Sequence, residues 1–188
     1  LTLASGAAYN TTAYEGSHSI YFDGTNDVVD VSGPNNFLKS SFTARTVALW
    51  IRPELLTNSR LIFDFGGSDN GIAMRINASQ LQAAVVNANT SVSVSTSFTT
   101  VNAWSHVAMV YAGNTLRLYV DGVLRAENTN LSFSSVAATT NNSRLGYHNS
   151  GNAFRANATA YYRGRMDDLR VIDANLSAAE INQLMTSN

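Results

Sequence analysis

Oxygen-bearing side chains gather in a short segment near the start of the chain. Asp23, Asn26 and Asp27 lie close together, and Gly24 between them permits a tight turn that exposes backbone carbonyl oxygens. Carboxylate, amide and carbonyl oxygens are the ligands that Ca²⁺ takes, about six to eight at a time. The same residues also suit an Asx-rich turn, in which the side chains bond only neighbouring backbone amides. The residues alone leave both interpretations open.

Aromatic and polar side chains surround a long Asn-, Gly- and Ser-rich loop at 149–160. An exposed aromatic ring offers a flat apolar face to the C–H groups of a sugar, and neighbouring polar groups can bond the sugar hydroxyls. The candidate ligand-binding residues are Tyr147, His148, Asn149, Asn152, Arg155 and Tyr161. The alternative is a solvated loop with its aromatic rings folded beneath it.

The residue patterns of the common hydrolytic and lyase sites are absent from the sequence. A glycoside hydrolase needs two carboxylates that face one cleft, but the four glutamates, Glu15, Glu54, Glu127 and Glu180, are isolated from one another. Lys39 is the single lysine, and no Ser-His-Asp arrangement is visible. The absence of cysteine excludes a thiol nucleophile, a thiolate zinc site and a disulfide framework. We therefore expect no enzymatic activity.

The composition indicates one neutral, strand-rich domain over residues 1–188. A net charge of −1 gives no electrostatic basis for binding nucleic acid, and no apolar run approaches the roughly 18 residues of a membrane span. Neutral polar residues (21 Ser, 17 Thr and 21 Asn) must keep the surface soluble, which is typical of extracellular proteins. Together with the lack of cysteine, this favours a bacterial exported protein, and we expect the segment to belong to a longer polypeptide.

Short β-branched and aromatic runs separated by turn residues predict an almost entirely β domain. The predicted strands are 18–23, 27–32, 42–52, 60–66, 71–77, 80–87, 90–97, 104–112, 115–121, 123–128, 142–148 and 162–173. Asp121-Gly122 between apolar runs predicts a hairpin with a type I′ turn. Ser177 and Glu180 form a capping box, which predicts a short C-terminal helix. Residues 1–16 are expected to be a linker or an extra edge strand.

Four segments, in this order, resemble the laminin-G-like jelly-roll family. They are SIYFDGTNDVVDV from Ser19, FTARTVALWIRP from Phe42, AWSHVAMVYAGNTLRLYVDGVL from Ala103 and GRMDDLRVIDANLSAAEI from Gly164. The resemblance covers most of the chain after residue 16. It implies an all-β, concanavalin A-like jelly-roll sandwich of two antiparallel sheets with a short C-terminal helix.

The resemblance also implies a structural calcium ion that links the first and last strands. Asp167 of the closing strand would then join the turn near the start of the chain. The expected metal-ligating residues are Asp23, Gly24, Asn26, Asp27 and Asp167. Asp69, in the glycine-rich segment 66–71, is a second candidate.

The function that the resemblance implies is recognition rather than catalysis. We expect a non-catalytic, lectin-like module of a larger exported protein, located outside the cell or at its surface. The host would be a bacterial surface adhesin or a polysaccharide-degrading enzyme, and the partner a glycan or cell-surface polysaccharide. The alternative is a structural or protein-binding spacer without affinity for glycans. Neither interpretation involves nucleic acid or membrane insertion.

Overall fold

Strands make up about half of the described residues. The computed structural model describes residues 2–33, 37–147, 151–155 and 160–186. The strands within these ranges are β1 (Thr2–Ala4), β2 (Ala8–Asn10), β3 (Ser19–Asp23), β4 (Val28–Asp30), β5 (Ala44–Pro53), β6 (Ser59–Phe65), β7 (Gly71–Asn77), β8 (Gln80–Asn87), β9 (Thr90–Ser97), β10 (Ser105–Ala112), β11 (Thr115–Val120), β12 (Val123–Asn128), β13 (Ser143–Leu145) and β14 (Arg163–Ile172). Phe37–Lys39 form a 3-10 turn, and Ala178–Leu184 form the helix α1.

These strands form two antiparallel sheets of seven strands each. The first sheet has the order β1-β4-β13-β6-β7-β8-β9, and the second has the order β12-β11-β10-β5-β14-β3-β2. Neighbouring strands are often distant in sequence: β14, for example, lies between β5 and β3. The predicted concanavalin A-like jelly-roll sandwich is confirmed.

Residues 2–10 add one edge strand to each sheet. β1 pairs with β4, where Leu3 lies opposite Val29, and β2 pairs with β3, where Tyr9 lies opposite Ile20. Between them the chain crosses from one sheet to the other, and Ala7 is buried in the core at this crossing. The segment 1–16, expected to be a linker or an extra edge strand, thus contains two short edge strands.

The core lies between the two sheets and follows the alternation of the strands. Strand residues of one parity face the interior, so each sheet contributes alternate side chains. The inward-facing residues of the second sheet pack there: Leu49, Ile51, Val107, Met109, Leu116 and Leu118 are buried, and Leu169 and Val171 are half-buried against the same cluster. They meet side chains of the first sheet such as Phe63 and Met74. Each fully buried side chain of this size stabilises the fold by about 1.5–3 kcal/mol.

A β-bulge in β14 changes which of its side chains face the core. The register of β14 on β5 shifts between Asp167 and Arg170, and Asp168 adopts a φ of 45°. Met166 before the bulge and Leu169 after it both contact the core, although an unbroken strand would place them on opposite faces. The side chain of Asp167, next to inward-facing Met166, therefore lies on the outer side of the second sheet.

The short helix covers part of that outer side. Ile181 of α1 is buried in a cluster with residues of β5, β10 and β11. The predicted capping box is confirmed: Ser177 Oγ accepts a hydrogen bond from Glu180 N–H at 3.3 Å, and Glu180 Oε2 accepts one from Ser177 N–H at 2.7 Å. Within the described ranges, no helix combines the length and the hydrophobicity that crossing a membrane would require.

Candidate functional site

The turn after β3 folds around the buried carboxylate of Asp27. Asp27 Oδ2 accepts a hydrogen bond from Asp23 N–H at 2.5 Å, and Asp23 Oδ1 accepts one from Thr25 N–H at 2.7 Å. These are the bonds of an Asx-rich turn. Asp27 Oδ1, however, is buried and has no hydrogen-bond partner among the described residues. Burial raises the pKa of Asp27 above its ordinary value, and the hydrogen bond from Asp23 opposes this rise.

Gly6, at the crossing between β1 and β2, closes this corner of the molecule. A Cβ placed on Gly6 would collide with Asp27 Oδ1 and would lie 3.6 Å from Asn26 Oδ1. A carboxylate oxygen and an amide oxygen therefore face the same small space. This donor set fits a hard cation such as Ca²⁺, provided that backbone carbonyl or water oxygens complete the coordination. Nowhere in the described ranges do three or more His, Cys, Asp or Glu side chains group as a metal site would need.

Asp167 lies apart from the other expected metal ligands. Asp23 lies opposite Arg163 of β14, four residues before Asp167, which corresponds to about 13 Å along a strand. Gly24 packs against the side chain of Arg163: a Cβ on Gly24 would lie 2.9 Å from Arg163 Cβ. The structure therefore does not bring Asp167 together with Asp23, Asn26 and Asp27. The physical reason is the strand register, which places Asp167 at a different height in the sheet.

The carboxylate of Asp167 instead anchors the segment between β2 and β3. Asp167 Oδ2 accepts hydrogen bonds from the N–H groups of Tyr14 and Glu15 at 2.8 and 3.0 Å. Asp167 Oδ1 accepts a third from Asp168 N–H at 2.9 Å. Tyr14 in turn stacks on Trp50, with 3.4 Å between ring centroids and 18° between ring planes. Asp167 thus holds an aromatic cover on the outer face of the second sheet.

The predicted sugar-binding residues are divided between two environments. Tyr147 and Tyr161 come together as a stacked pair, with 4.9 Å between ring centroids and 22° between ring planes. Both tyrosines are half-buried. The guanidinium carbon of Arg144 lies 5.8 Å from the centre of the Tyr147 ring. The geometry therefore produces an aromatic pair with a cation beside it.

Asn152 and Arg155 instead bind the protein itself. Asn152 is buried, and its Oδ1 accepts a hydrogen bond from Phe154 N–H at 2.9 Å. Arg155 Nη1 donates to the carbonyl oxygen and to the side-chain oxygen of Asn89, each at 2.8 Å. These bonds fasten residues 151–155 to the turn between β8 and β9. The other two candidates, His148 and Asn149, lie outside the described residues.

A row of charged residues that we did not predict crosses the first sheet beneath the tyrosines. Arg144 of β13 lies opposite Asp30 of β4 on one side and Asp64 of β6 on the other. Asp64 is fully buried, and neither of its carboxylate oxygens has a hydrogen-bond partner among the described residues. Burial raises the pKa of Asp64 well above its ordinary value, and the charge of Arg144 opposes this. The available signal in the sequence was a single carboxylate inside the apolar run 61–65.

The same row continues across the outer face of the first sheet. Asp64 lies opposite Ala73, and Ala73 lies opposite Ala84. Both alanines are buried in a small cluster with Ala153, so residues 151–155 cover this part of the face. The guanidinium of Arg75 packs over the ring of Phe154 at 4.0 Å and extends the cover. The tyrosine pair and Arg144 thus lie beside a covered, internally packed region of the sheet.

Comparison with known proteins places this fold in a family. The sequence profile of the concanavalin A-like lectin/glucanases superfamily matches residues 23–182. The chain belongs to this superfamily. The laminin-G-like resemblance of the four segments is thereby confirmed. A comparison with curated proteins yields no match.

Several solved structures share the superfamily fold. The binding domain of botulinum neurotoxin serotype G is 15% identical with a TM-score of 0.74, covering 98% of this chain and 46% of its own. Domain 4 of AbnA, a GH43 extracellular arabinanase from Geobacillus stearothermophilus in complex with arabinotriose, is 18% identical with a TM-score of 0.69, covering 97% and 82%. The CBM40 of the Ruminococcus gnavus IT-sialidase, bound to α2,3 sialyllactose, is 14% identical with a TM-score of 0.69, covering 89% and 96%. The chain thus spans about half the length of the toxin binding domain, and these likenesses establish the fold.

Proposed function

We propose that this protein is a non-catalytic carbohydrate-binding module of a larger exported protein and that it binds glycans outside the cell or at its surface. The stacked pair of Tyr147 and Tyr161, with Arg144 beside it, carries the proposal. Two solved structures of the same fold are complexes with arabinotriose and sialyllactose, which supports a carbohydrate as the ligand class. In this proposal the glycan contacts the edge of the outer face of the first sheet.

The chemistry of the pair suits a sugar. A tyrosine ring offers an apolar face to the C–H groups of a sugar, and the hydroxyl groups of the pair can both donate and accept hydrogen bonds. Arg144 adds charged donors, which bond neutral hydroxyls and, more strongly, the carboxylate of an acidic sugar. A site of one aromatic surface and a few hydrogen bonds binds weakly, with a Kd on the order of 0.1–1 mM, unless several copies act together.

The positions of the glutamates support a non-catalytic role. Glu54 forms ion pairs with Arg163 and Arg165 at 3.2 and 3.0 Å, and Glu127 pairs with Arg117 at 2.6 Å. The remaining two are also engaged, Glu15 with Arg170 and Glu180 with the helix cap. All four glutamates thus have structural partners, whereas a glycosidase needs two carboxyl groups directed at the substrate.

We further propose that the Gly6–Asn26–Asp27 corner binds a structural Ca²⁺. The partnerless oxygen of Asp27 and the adjacent amide oxygen of Asn26 support this assignment. A bound cation would compensate the buried charge of Asp27 and would tie the β1–β2 crossing to the turn after β3. Asp167 is not needed in this arrangement.

A glycan array tests the main proposal. We expect the protein to bind a subset of arabinan-type or sialylated glycans. The double variant Tyr147→Ala/Tyr161→Ala should lose about tenfold in affinity, because stacking contacts of aromatic rings contribute about 0.5–1.5 kcal/mol each. Tyr9→Ala is the matched control, because Tyr9 is 63% exposed and lies at the edge of the second sheet. Its binding should equal that of the wild type.

Two outcomes would contradict the proposal. If the double variant binds as well as the wild type, the glycan site lies elsewhere on the domain. If the folded wild-type protein binds no glycan on the array, the spacer or protein-binding interpretation takes its place. A thermal melt of each variant separates lost binding from lost folding.

A further inference from the structure

An apolar cavity opens at the edge of the sandwich, between β3 and β14 of the second sheet and β4 and β13 of the first. Its volume is about 590 Å³. The apolar part of its wall consists of Ile20, Val31, Leu145, Met166, Leu169 and Val171. Four of these side chains are only half-buried although they pack against the main core. The cavity therefore exposes the edge of the core.

Strand lengths explain why the sandwich is open here. β14 spans ten residues, whereas β4 and β13, which face it across the interior, span three residues each. The bulge at Asp167 and Asp168 also turns Leu169 and Val171 towards the interior, beyond the reach of the two short strands. The second sheet thus presents inward-facing apolar side chains that the first sheet does not fully cover.

Among the described residues, the carboxylates and the serine hydroxyls that line the cavity are already engaged within the protein. Asp167 accepts three backbone hydrogen bonds, and Asp168 Oδ1 accepts one from Arg170 Nε at 2.8 Å. Ser19 Oγ donates to the carbonyl oxygen of Thr12 at 2.8 Å, and Ser32 Oγ accepts from a backbone N–H at 3.0 Å. A cationic ligand would find these two carboxylates occupied, and the described lining contains no Lys or Arg for an anionic one, so the cavity suits an uncharged, apolar molecule.

The size of the opening favours a small molecule over a protein surface. A stable protein–protein contact buries about 800 Å² on each partner. At the mouth of the cavity, the large apolar side chains with high exposure are Tyr9 at 63% and Phe37 at 41%. This is little apolar surface for an interface. The cavity volume, in contrast, lies within the range of about 300–1,000 Å³ that is usual for small-molecule sites.

We infer that this cavity binds an uncharged aliphatic molecule. The aliphatic chain of the ligand lies between the two sheets, and its polar end lies at the mouth of the cavity beside Tyr9 and His18. The ring edge of one of these residues meets the face of the other, with 6.3 Å between centroids. The site uses neither the tyrosine pair nor Arg144, so it is independent of the proposed glycan site. Its ligand is a free, lipid-like molecule with an aliphatic chain.

Titration of the protein with 1-hexanol and 1-octanol, followed by methyl NMR spectroscopy, tests the inference. We expect saturable shifts of the methyl signals of Ile20, Val31, Leu145, Leu169 and Val171. The affinity should rise about fourfold for each added methylene, because the chain enters an apolar environment. Shifts that do not saturate, or that spread over the surface, would overturn the inference.

Two variants sharpen the test. Leu169→Trp places a large ring in the cavity and should weaken 1-octanol binding at least about tenfold. Val92→Trp is the matched control, since Val92 is also half-buried against the core but lies on β9 at the far edge of the first sheet. It should bind as the wild type does.

The remaining outcomes are also decisive. Unchanged binding by Leu169→Trp would overturn the inference. If Leu169→Trp does not fold, the pattern of wild-type methyl shifts decides alone. Sedimentation that reveals a dimer which 1-octanol dissociates would assign the cavity to a second copy of the chain and overturn the small-molecule assignment.

Discussion

Asp27 and Asp167, which we expected to share one calcium ion, differ in the hydrogen bonding of their carboxylate oxygens. Asp167 accepts three backbone hydrogen bonds through both of its oxygens. Asp27 accepts one through Oδ2, while its buried Oδ1 has no partner in the described part of the chain. Both residues are aspartates, but Asp167 has three backbone N–H donors within reach and Asp27 has one.

The difference shows how to separate a structural carboxylate from a ligating one. A carboxylate whose oxygens are all bonded by backbone N–H groups has little to gain from a cation, which would have to displace those donors. A buried oxygen without a donor costs free energy until a proton or a cation compensates it. On this criterion Asp167 holds the fold together, and Asp27 is the candidate ligand.

The largest expected effect is a loss of stability on changing Asp167. In Asp167→Asn, an amide NH₂ replaces one oxygen and faces backbone N–H donors, so at least one charge-assisted hydrogen bond is lost, and the bonds that remain lose the carboxylate charge. We expect the free energy of unfolding to fall by about 3 kcal/mol or more, because one bond to a charged group is worth about 1.5–3 kcal/mol. Chemical denaturation measures this, and tryptophan fluorescence reports release of Tyr14 from Trp50.

Asp168→Asn is the matched control for that change. Asp168 pairs with Arg170 in a half-buried ion pair at 2.8 Å, and such pairs contribute about 0–1 kcal/mol. Asparagine also tolerates the positive φ of this position. Equal losses in Asp167→Asn and Asp168→Asn would contradict the anchoring role of Asp167.

Local patterns in the sequence predicted most of the fold but not the position of Asp167. All twelve predicted strands have a counterpart, because alternation and turn residues act over a few positions. The type I′ turn is also found, with φ of 50° at Asp121 and 74° at Gly122. For residues 1–16 the sequence left a linker and an extra edge strand open, and it did not locate β1 and β2 individually. The bulge at Asp168, which fixes where Asp167 lies, carries no glycine to signal it.

The candidate site was predictable only in part, for a related reason. Tyr147 and Tyr161 flank one loop, so their meeting follows from short-range chain geometry. The row formed by Asp30, Arg144 and Asp64 depends on the register between strands that are far apart in sequence. Asp167 likewise bonds residues 152 and 153 positions away. Such contacts are set by tertiary structure and leave no periodic signal.

The second expected effect is a calcium dependence that follows Asp27 and not Asp167. If Ca²⁺ binds only the folded state, it stabilises the wild type by about 2.7 kcal/mol at a hundredfold excess over Kd. Asp27→Asn removes the charged ligand and should abolish this response in thermal melts with calcium and with chelator. Asp167→Asn should be less stable overall but should keep the response.

The opposite pattern would restore the arrangement first expected from the sequence. A response lost in Asp167→Asn and kept in Asp27→Asn would mean that Asp167 ligates the ion after all. If the wild-type protein melts at the same temperature with calcium and with chelator, neither Asp27 nor Asp167 binds calcium. Residues 23–27 are then an Asx-rich turn and nothing more.

The smallest expected effect is a pH dependence whose sign distinguishes a bare Asp27 from a metal-bound one. Burial raises the pKa of Asp27 in the folded state above its ordinary value of 3.8. In calcium-free buffer, the folded protein therefore takes up a proton before the unfolded chain does as the pH falls from 7. As the pH falls towards the ordinary pKa of 3.8, the wild type should gain stability relative to Asp27→Asn. The gain should be lost as the pH rises through the raised pKa of the folded state.

Saturating calcium should reverse that trend. Protons then compete with the metal for the Asp27 carboxylate, so the wild type should lose stability relative to Asp27→Asn as the pH falls. Asp64 also has a raised pKa, but it is present in both proteins and cancels from the difference. Denaturation curves of the two proteins between pH 7 and about pH 4, with and without calcium, measure the two slopes. If the difference in stability changes with pH in the same direction in both buffers, Asp27 is not the calcium ligand. Its buried Oδ1 is then compensated by a proton alone.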